Sequence, residues 1–191
     1  PTPSSAASDV YKRQLLGHSD AADNNGIFYK YVSYLQIENG TSWIGLSNGQ
    51  LLLIDDFSKS VYPISTSIGV IYPTTITIDD LIWIGGIRNF SSDNSSISAI
   101  TKNFKDIKNY KDSNYSNFSK VDFFSNKSID NEVWFGSQGS VTIYNKRSDF
   151  FRTLGYEKGI PIQKVEHIEY LNDKVYIASR NDLVVLDKKT K

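Results

Sequence analysis

Thr41-Ser42-Trp43-Ile44-Gly45-Leu46, Leu81-Ile82-Trp83-Ile84-Gly85-Gly86, Glu132-Val133-Trp134-Phe135-Gly136-Ser137 and Lys174-Val175-Tyr176-Ile177-Ala178-Ser179 are four versions of one short strand. Three carry aromatic-apolar-Gly, and the fourth is a relaxed copy with Tyr176 and Ala178. The aromatic positions 43, 83, 134 and 176 are 40, 51 and 42 residues apart. A period near forty, with a tryptophan and several strand-like runs in each repeat, is the sequence signature of propeller blades.

The surrounding residues repeat as well. Each copy is followed by a second apolar strand: Gln50 to Asp55, Ser96 to Thr101, Ser140 to Asn145 and Asp182 to Asp187. A short outer strand ending in an aromatic comes next, as in Ser60-Val61-Tyr62 and Asp149-Phe150-Phe151. A further strand precedes each aromatic. Gly26-Ile27 is followed by Val32, Leu35, Ile37 and Asn39; Gly159-Ile160 is followed by Val165, Ile168, Leu171 and Asn172, with only the third apolar position shifted by one. Alternating apolar residues put one face of each strand into a neighbouring blade. The tryptophan is expected to fill space between blades, and the glycine two residues on to permit close backbone approach. Glu38-Asn39-Gly40 and Ser47-Asn48-Gly49 supply the positive φ that tight hairpins need. The fold class is therefore all-β, a partial β-propeller of about four blades of four antiparallel strands. Blade cores fall near 27–65, 70–110, 119–154 and 165–191.

Composition narrows the function. A hydrophobic fraction of 39% with 13% aromatics is enough to build a core and argues against disorder. Lysine plus arginine equals aspartate plus glutamate at 21 each, which leaves no electrostatic footprint for nucleic acid or an anionic membrane. No run of eighteen apolar residues exists, so no membrane contact is expected from this chain. The absence of cysteine excludes disulfides and thiolate metal sites without deciding the compartment.

The compound pattern resembles the two-component regulator propeller repeat: Gly-Ile or Gly-Leu, a strand, an acidic or Asn/Gly turn, Trp-Ile-Gly, Asn-Gly, then a strand ending near Asp. Its best copy runs from Gly26-Ile27 through Ile37-Glu38-Asn39-Gly40-Thr41-Ser42-Trp43-Ile44-Gly45-Leu46-Ser47-Asn48-Gly49 to Ile54-Asp55. Blade two departs from it at Gly86-Ile87-Arg88, and blade four lacks both tryptophan and glycine. The resemblance implies the sensor region of a bacterial hybrid two-component histidine kinase or regulator, periplasmic or extracellular, in a dimeric, membrane-anchored parent. It implies a signal ligand, often an oligosaccharide, and a kinase outside these residues. Residues 15–191 are then expected to be part of a larger ring, of seven blades. Ser4 to Gln14 looks like the read-through translation of a sequencing-library transposase adapter, so residues 1–14 are expected to be non-native.

Candidate sites are few. The long central interval points to an insertion at Arg88 to Ser95, where Arg88, Asn89, Phe90 and Asp93 could contact a ligand from a rim loop; a solvated, tolerated insertion is the plainer reading. Tyr110, Tyr115, Phe118, Phe123 and Phe124 could form a platform for sugar rings, though blade packing accounts for such residues more simply. His18 and His167 have no second ligand at metal spacing, and Asp20 to Gly26 lacks the alternating carboxylates of a calcium loop. No phosphate loop or nucleophile elbow is present, so no catalytic residue, cofactor or metal is expected. Trp43, Gly45, Trp83, Gly85, Trp134, Gly136 and Tyr176 are assigned to the structural repeat. Three functions remain: a ligand sensor acting through a kinase, a secreted or surface propeller scaffold for protein assembly, and an enzyme built on a propeller. The last needs convergent carboxylates or a histidine at the ring's centre, which the repeat does not place.

Overall fold

The computed structural model describes residues 32–38, 40–46, 51–55, 60–64, 72–87, 97–103, 105–110, 122–160 and 163–188. They form four antiparallel meanders in chain order. Blade one comprises β1 (Val32–Glu38), β2 (Thr41–Leu46), β3 (Leu51–Asp55) and β4 (Ser60–Ile64). Blade two comprises β5 (Tyr72–Ile78), β6 (Leu81–Ile87), β7 (Ile97–Thr101) and β8 (Ile107–Tyr110). Blade three comprises β9 (Phe123–Ile129), β10 (Glu132–Ser137), β11 (Val141–Asn145) and β12 (Phe150–Leu154). Blade four comprises β13 (His167–Leu171), β14 (Lys174–Ala178) and β15 (Leu183–Asp187).

Within each blade every strand pairs with its sequence neighbour, as short hairpin connections require. Asn172 and Asp173 both take positive φ (52° and 61°) in the two-residue turn between β13 and β14, and Gly40 does so (75°) between β1 and β2. Between blades, β1 packs on β5, β5 on β9 and β9 on β13, and the second strand of each blade leans on the first strand of the next. First strands that crowd together while later strands diverge describe blades radiating from an axis. This is an arc of a β-propeller.

Strand periodicity sorts the side chains between junctions. Successive residues point to opposite faces, and directly opposed residues share a face. Trp43, Trp83 and Trp134 therefore face forward, towards the next blade, while their neighbours on the same strand face back. The first junction joins Trp43 and Leu51 to Ile76, Ile82, Ile84 and Ile100. The second joins Trp83, Ile97, Ala99 and Tyr110 to Phe123, Val133, Phe135, Tyr144 and Phe151. The third joins Ile129, Trp134, Val141 and Ile143 to Ile160, Val165, Ile168, Val175 and Ile177. Blades two and three thus bury both faces. Each fully buried side chain of this size contributes about 1.5–3 kcal/mol.

At these junctions the glycines make room for side chains of the next blade. A Cβ on Gly45 would lie 2.8 Å from Pro73 Cβ of blade two, and one on Gly136 would lie 2.5 Å from Val165 Cγ1 of blade four. β6 ends at Ile87 and β7 begins at Ile97; the expected insertion at Arg88 to Ser95 lies between them, outside the described residues.

Candidate functional site

Arg88, Asn89, Phe90 and Asp93, the ligand candidates of the inserted loop, lie outside the described residues. So do His18, the segment from Asp20 to Gly26, Tyr115 and Phe118. Tyr110 and Phe123 are buried in the second junction, where Tyr110 stacks on Trp83 at 5.8 Å between ring centroids. They are core, not a sugar platform. Phe124 is half-buried with the Lys164 ammonium 4.5 Å above its ring.

The first strands carry polar groups where the junctions approach the axis. Thr75 Oγ1 donates to Asn126 Oδ1 at 2.7 Å, and Asn126 Nδ2 donates to the Trp83 carbonyl at 3.2 Å. Ser125 Oγ donates to the Val165 carbonyl at 3.0 Å. Asp79, in the turn after β5, is the hub of the second junction. Its Oδ1 accepts from the Leu81 amide at 2.9 Å and the Trp83 indole at 3.1 Å. Its Oδ2 accepts from Lys146 Nζ at 2.8 Å and from Ser128 Oγ. Burial alone would raise the Asp79 pKa; the Leu81 amide, Lys146 and Ser128 together outweigh it and hold the carboxyl below its ordinary 3.8.

The same pairing recurs one blade on, where Lys188 Nζ meets Asp130 and also donates to the Ile129 carbonyl at 3.3 Å. In both cases an aspartate of the turn between strands one and two meets the lysine immediately after the third strand of the next blade. Sequence reasoning missed these staples. The available signal was Lys102, Lys146 and Lys188, each following a third strand.

Because the Asp79 pKa is depressed, its contribution to stability is present above the unfolded value and is lost as pH falls through the lowered folded one. Acidification from neutrality to below about 4 is expected to weaken the second junction. Asp79→Asn should cost about 1–3 kcal/mol at pH 7 and flatten that acid limb, as read from urea midpoints across pH. An acid limb identical in wild type and variant would refute the assignment.

Among the described residues, the first strands carry an accessible cluster of charged and polar side chains. Lys127 Nζ of β9 lies 2.7 Å from Glu169 Oε1 of β13, and Glu169 Oε2 lies 4.0 Å from His167 Nε2. Burial pushes the Glu169 pKa up, but Lys127, the Tyr170 amide and the nearby His167 more than offset it and keep the carboxyl below 4.5. An ammonium, a carboxylate and an imidazole, with side chains 36%, 44% and 71% exposed, offer both donors and acceptors to a hydroxylated ligand. Strand alternation puts His167 and Glu169, two residues apart, on one face, a pairing that a search for a second metal ligand passed over. Among the described residues no group of three His, Cys, Asp or Glu could hold a metal ion, and no helix is long and apolar enough to cross a membrane.

No family model matches the chain, and no curated protein matches its sequence. Solved structures do match. Two structures of the extracellular domain of BT4673 from B. thetaiotaomicron, described as part of a one-component system in one and of a hybrid two-component system in the other, are similar over 86% of this chain at 15% identity, with TM-scores of 0.60 and 0.59. The match covers 21% of that domain, so the chain spans about a fifth of it. An auxiliary nutrient binding protein from Bacteroides thetaiotaomicron VPI-5482 is similar over 82% of this chain and 38% of its own, at 18% identity and a TM-score of 0.58. The computationally designed Ika4 protein is similar over 86% of this chain and 95% of its own, at 9% identity and a TM-score of 0.60. At these identities the likeness is one of fold.

Proposed function

We propose that this propeller arc is an extracytoplasmic ligand-sensing unit of a bacterial two-component regulatory protein. It binds a signal molecule, with oligosaccharide as the first class to test, and its occupancy is relayed to a kinase carried elsewhere in the parent. The observation that carries the reading is the Trp-Ile-Gly and Asn-Gly blade pattern in a chain whose fold is similar, over 86% of its length, to an extracellular domain of such a system. Lys127, Glu169 and His167 supply an accessible set of hydrogen-bonding groups on the first strands. The chain itself binds and does not catalyse. A second reading, a secreted or surface propeller without a kinase, draws support from the similarity to a nutrient binding protein.

Titration calorimetry against a panel of plant, host and microbial oligosaccharides tests the reading. One glycan class is expected to bind, with at least a tenfold loss of affinity in Glu169→Gln, about 1.4 kcal/mol. A panel in which nothing binds would remove the saccharide-sensor reading.

A further inference from the structure

An antiparallel meander fixes which segments share an end of a blade. First and third strands begin, and second and fourth strands finish, at the same end. At that end of blade three lie the start of β9, the turn from β10 to β11, and the short 3-10 helix Tyr156–Lys158 that follows β12. The segment leading into β13 crosses there too. It is held by backbone bonds from the Val165 N–H to the Ser137 carbonyl (2.9 Å) and from the Gly139 N–H to the Gln163 carbonyl (3.2 Å).

One position at this end breaks the repeat. β1, β5 and β9 each carry a bulge beside the residue opposite the motif glycine, which leaves Ser33, Thr74 and Phe124 outside the ladder. In blades one and two the extra residue is small, and its hydroxyl turns inward: Ser33 Oγ is buried, and Thr74 Oγ1 donates to the Phe123 carbonyl of the next blade. In blade three a phenyl ring takes the place and is left half-buried, between buried Phe123 and Ser125. Bulges re-aim side chains beside binding sites, and a repeat is broken where function, not folding, sets the residue.

Polar groups gather around that ring. Lys164 Nζ lies 4.5 Å from the Phe124 centroid. Val165 is fully buried in the third junction, so Lys164 and Glu166 on either side of it point the other way, and both are exposed. Gln138, exposed in the β10–β11 turn, forms a backbone bridge with Lys164. Tyr156, 70% exposed, stands beyond the far strand of the same blade. β9 and β12 are separated by three strand spacings, about 14 Å.

On the premise that the arc senses a saccharide, we propose that this end of blade three is the glycan site and that it takes a neutral oligosaccharide. Phe124 offers an apolar ring to the C–H face of one sugar. Lys164, anchored by that ring, donates to sugar hydroxyls; Glu166 accepts from them, and the Gln138 amide does both. An ammonium and a carboxylate on one side of a segment suit uncharged hydroxyls, whereas a uronate would meet Glu166 as a like charge. Tyr156 supplies a second ring a blade's width away, within reach of a short chain but not of a single sugar.

Calorimetric titration of the full chain with neutral cello-, xylo-, manno- and malto-tetraose, the matching monosaccharides and tetragalacturonate reads the outcome. One neutral tetrasaccharide is expected to bind, and its monosaccharide at least tenfold more weakly. Phe124→Ser, which installs the blade-one residue in the same bulge, should keep the wild-type urea midpoint and lose at least tenfold in affinity. Lys164→Met should lose as much, and Tyr156→Ala should narrow the gap between tetrasaccharide and monosaccharide. A tetrasaccharide that binds Phe124→Ser as tightly as wild type overturns the site; a tenfold loss in Glu169→Gln alone would then leave the sensor reading standing. Preferential binding of tetragalacturonate overturns the neutral class, and a panel in which nothing binds takes both readings down together.

Discussion

Replacing Trp83 with alanine is expected to cost about 3–5 kcal/mol. Trp83 is only 1% exposed, and its ring contacts Tyr144 at 5.1 Å, Tyr110 at 5.8 Å and Phe135 at 6.3 Å between centroids. Those rings come from both sides of the second junction, so truncation empties the contact between blades two and three. It also removes the indole donor to Asp79, leaving the hub with one partner fewer. In a repeat protein, stability is approximately a sum over units and the interfaces between neighbours. Loss of this interface should therefore split one denaturation transition into two, as blades one and two separate energetically from blades three and four. Tyr176→Ala, at a half-buried position, should shift the urea midpoint far less. Equal shifts for the two variants would show that the tryptophan is not the junction's centre.

Gly136→Ala should destabilise the chain by about 3 kcal/mol although it adds a single methyl group. The new Cβ would lie 2.5 Å from Val165 Cγ1 and 2.9 Å from Val165 Cβ, and would also collide with Ser125 Oγ. Val165 Cβ cannot swing aside, so the third junction must open or the strands must move apart. Displacing Ser125 would in addition break its bond to the Val165 carbonyl. Gly159→Ala is the control: its Cβ meets nothing within 4 Å, and only the positive φ of 79° is strained, at about 1 kcal/mol. Thermal or urea unfolding of the two variants should rank them in that order. A reversed order would mean that backbone conformation, not crowding between blades, made glycine necessary.

Much of this architecture was legible in the residues because blades repeat. Trp43, Trp83 and Trp134 mark the same strand in successive blades, and the alternation around them assigns faces from the residues alone. Ile160, Val165 and Ile168, recognised by their offsets from Gly159, all join the third core. What local reading implied was one face of each strand packed on a neighbour; the interior blades bury both, since each blade lies between two others. Asp79–Lys146 escaped notice because its partners are 67 residues apart and neither side chain is unusual in its own segment. Asn126, a polar residue ordinary for its own segment, bridges blades two and three. Recognition loops leave no such trace: a loop needs to match a ligand, not a period, so nothing in Arg88, Asn89, Phe90 and Asp93 fixed their role.

The sorting of alternate residues to opposite junctions limits how such a chain can change length. Inserting one residue inside β10 would turn Trp134 from the third junction towards the second and carry Phe135 the other way, spoiling two interfaces at once. Length is therefore quantised within strands and free between them. The widest interval between a second and a third strand among the described blades runs from the end of β6 at Ile87 to the start of β7 at Ile97. Lineages of this fold should diversify by lengthening such rims, while the strands keep their frame as strictly as a coding sequence keeps its codons.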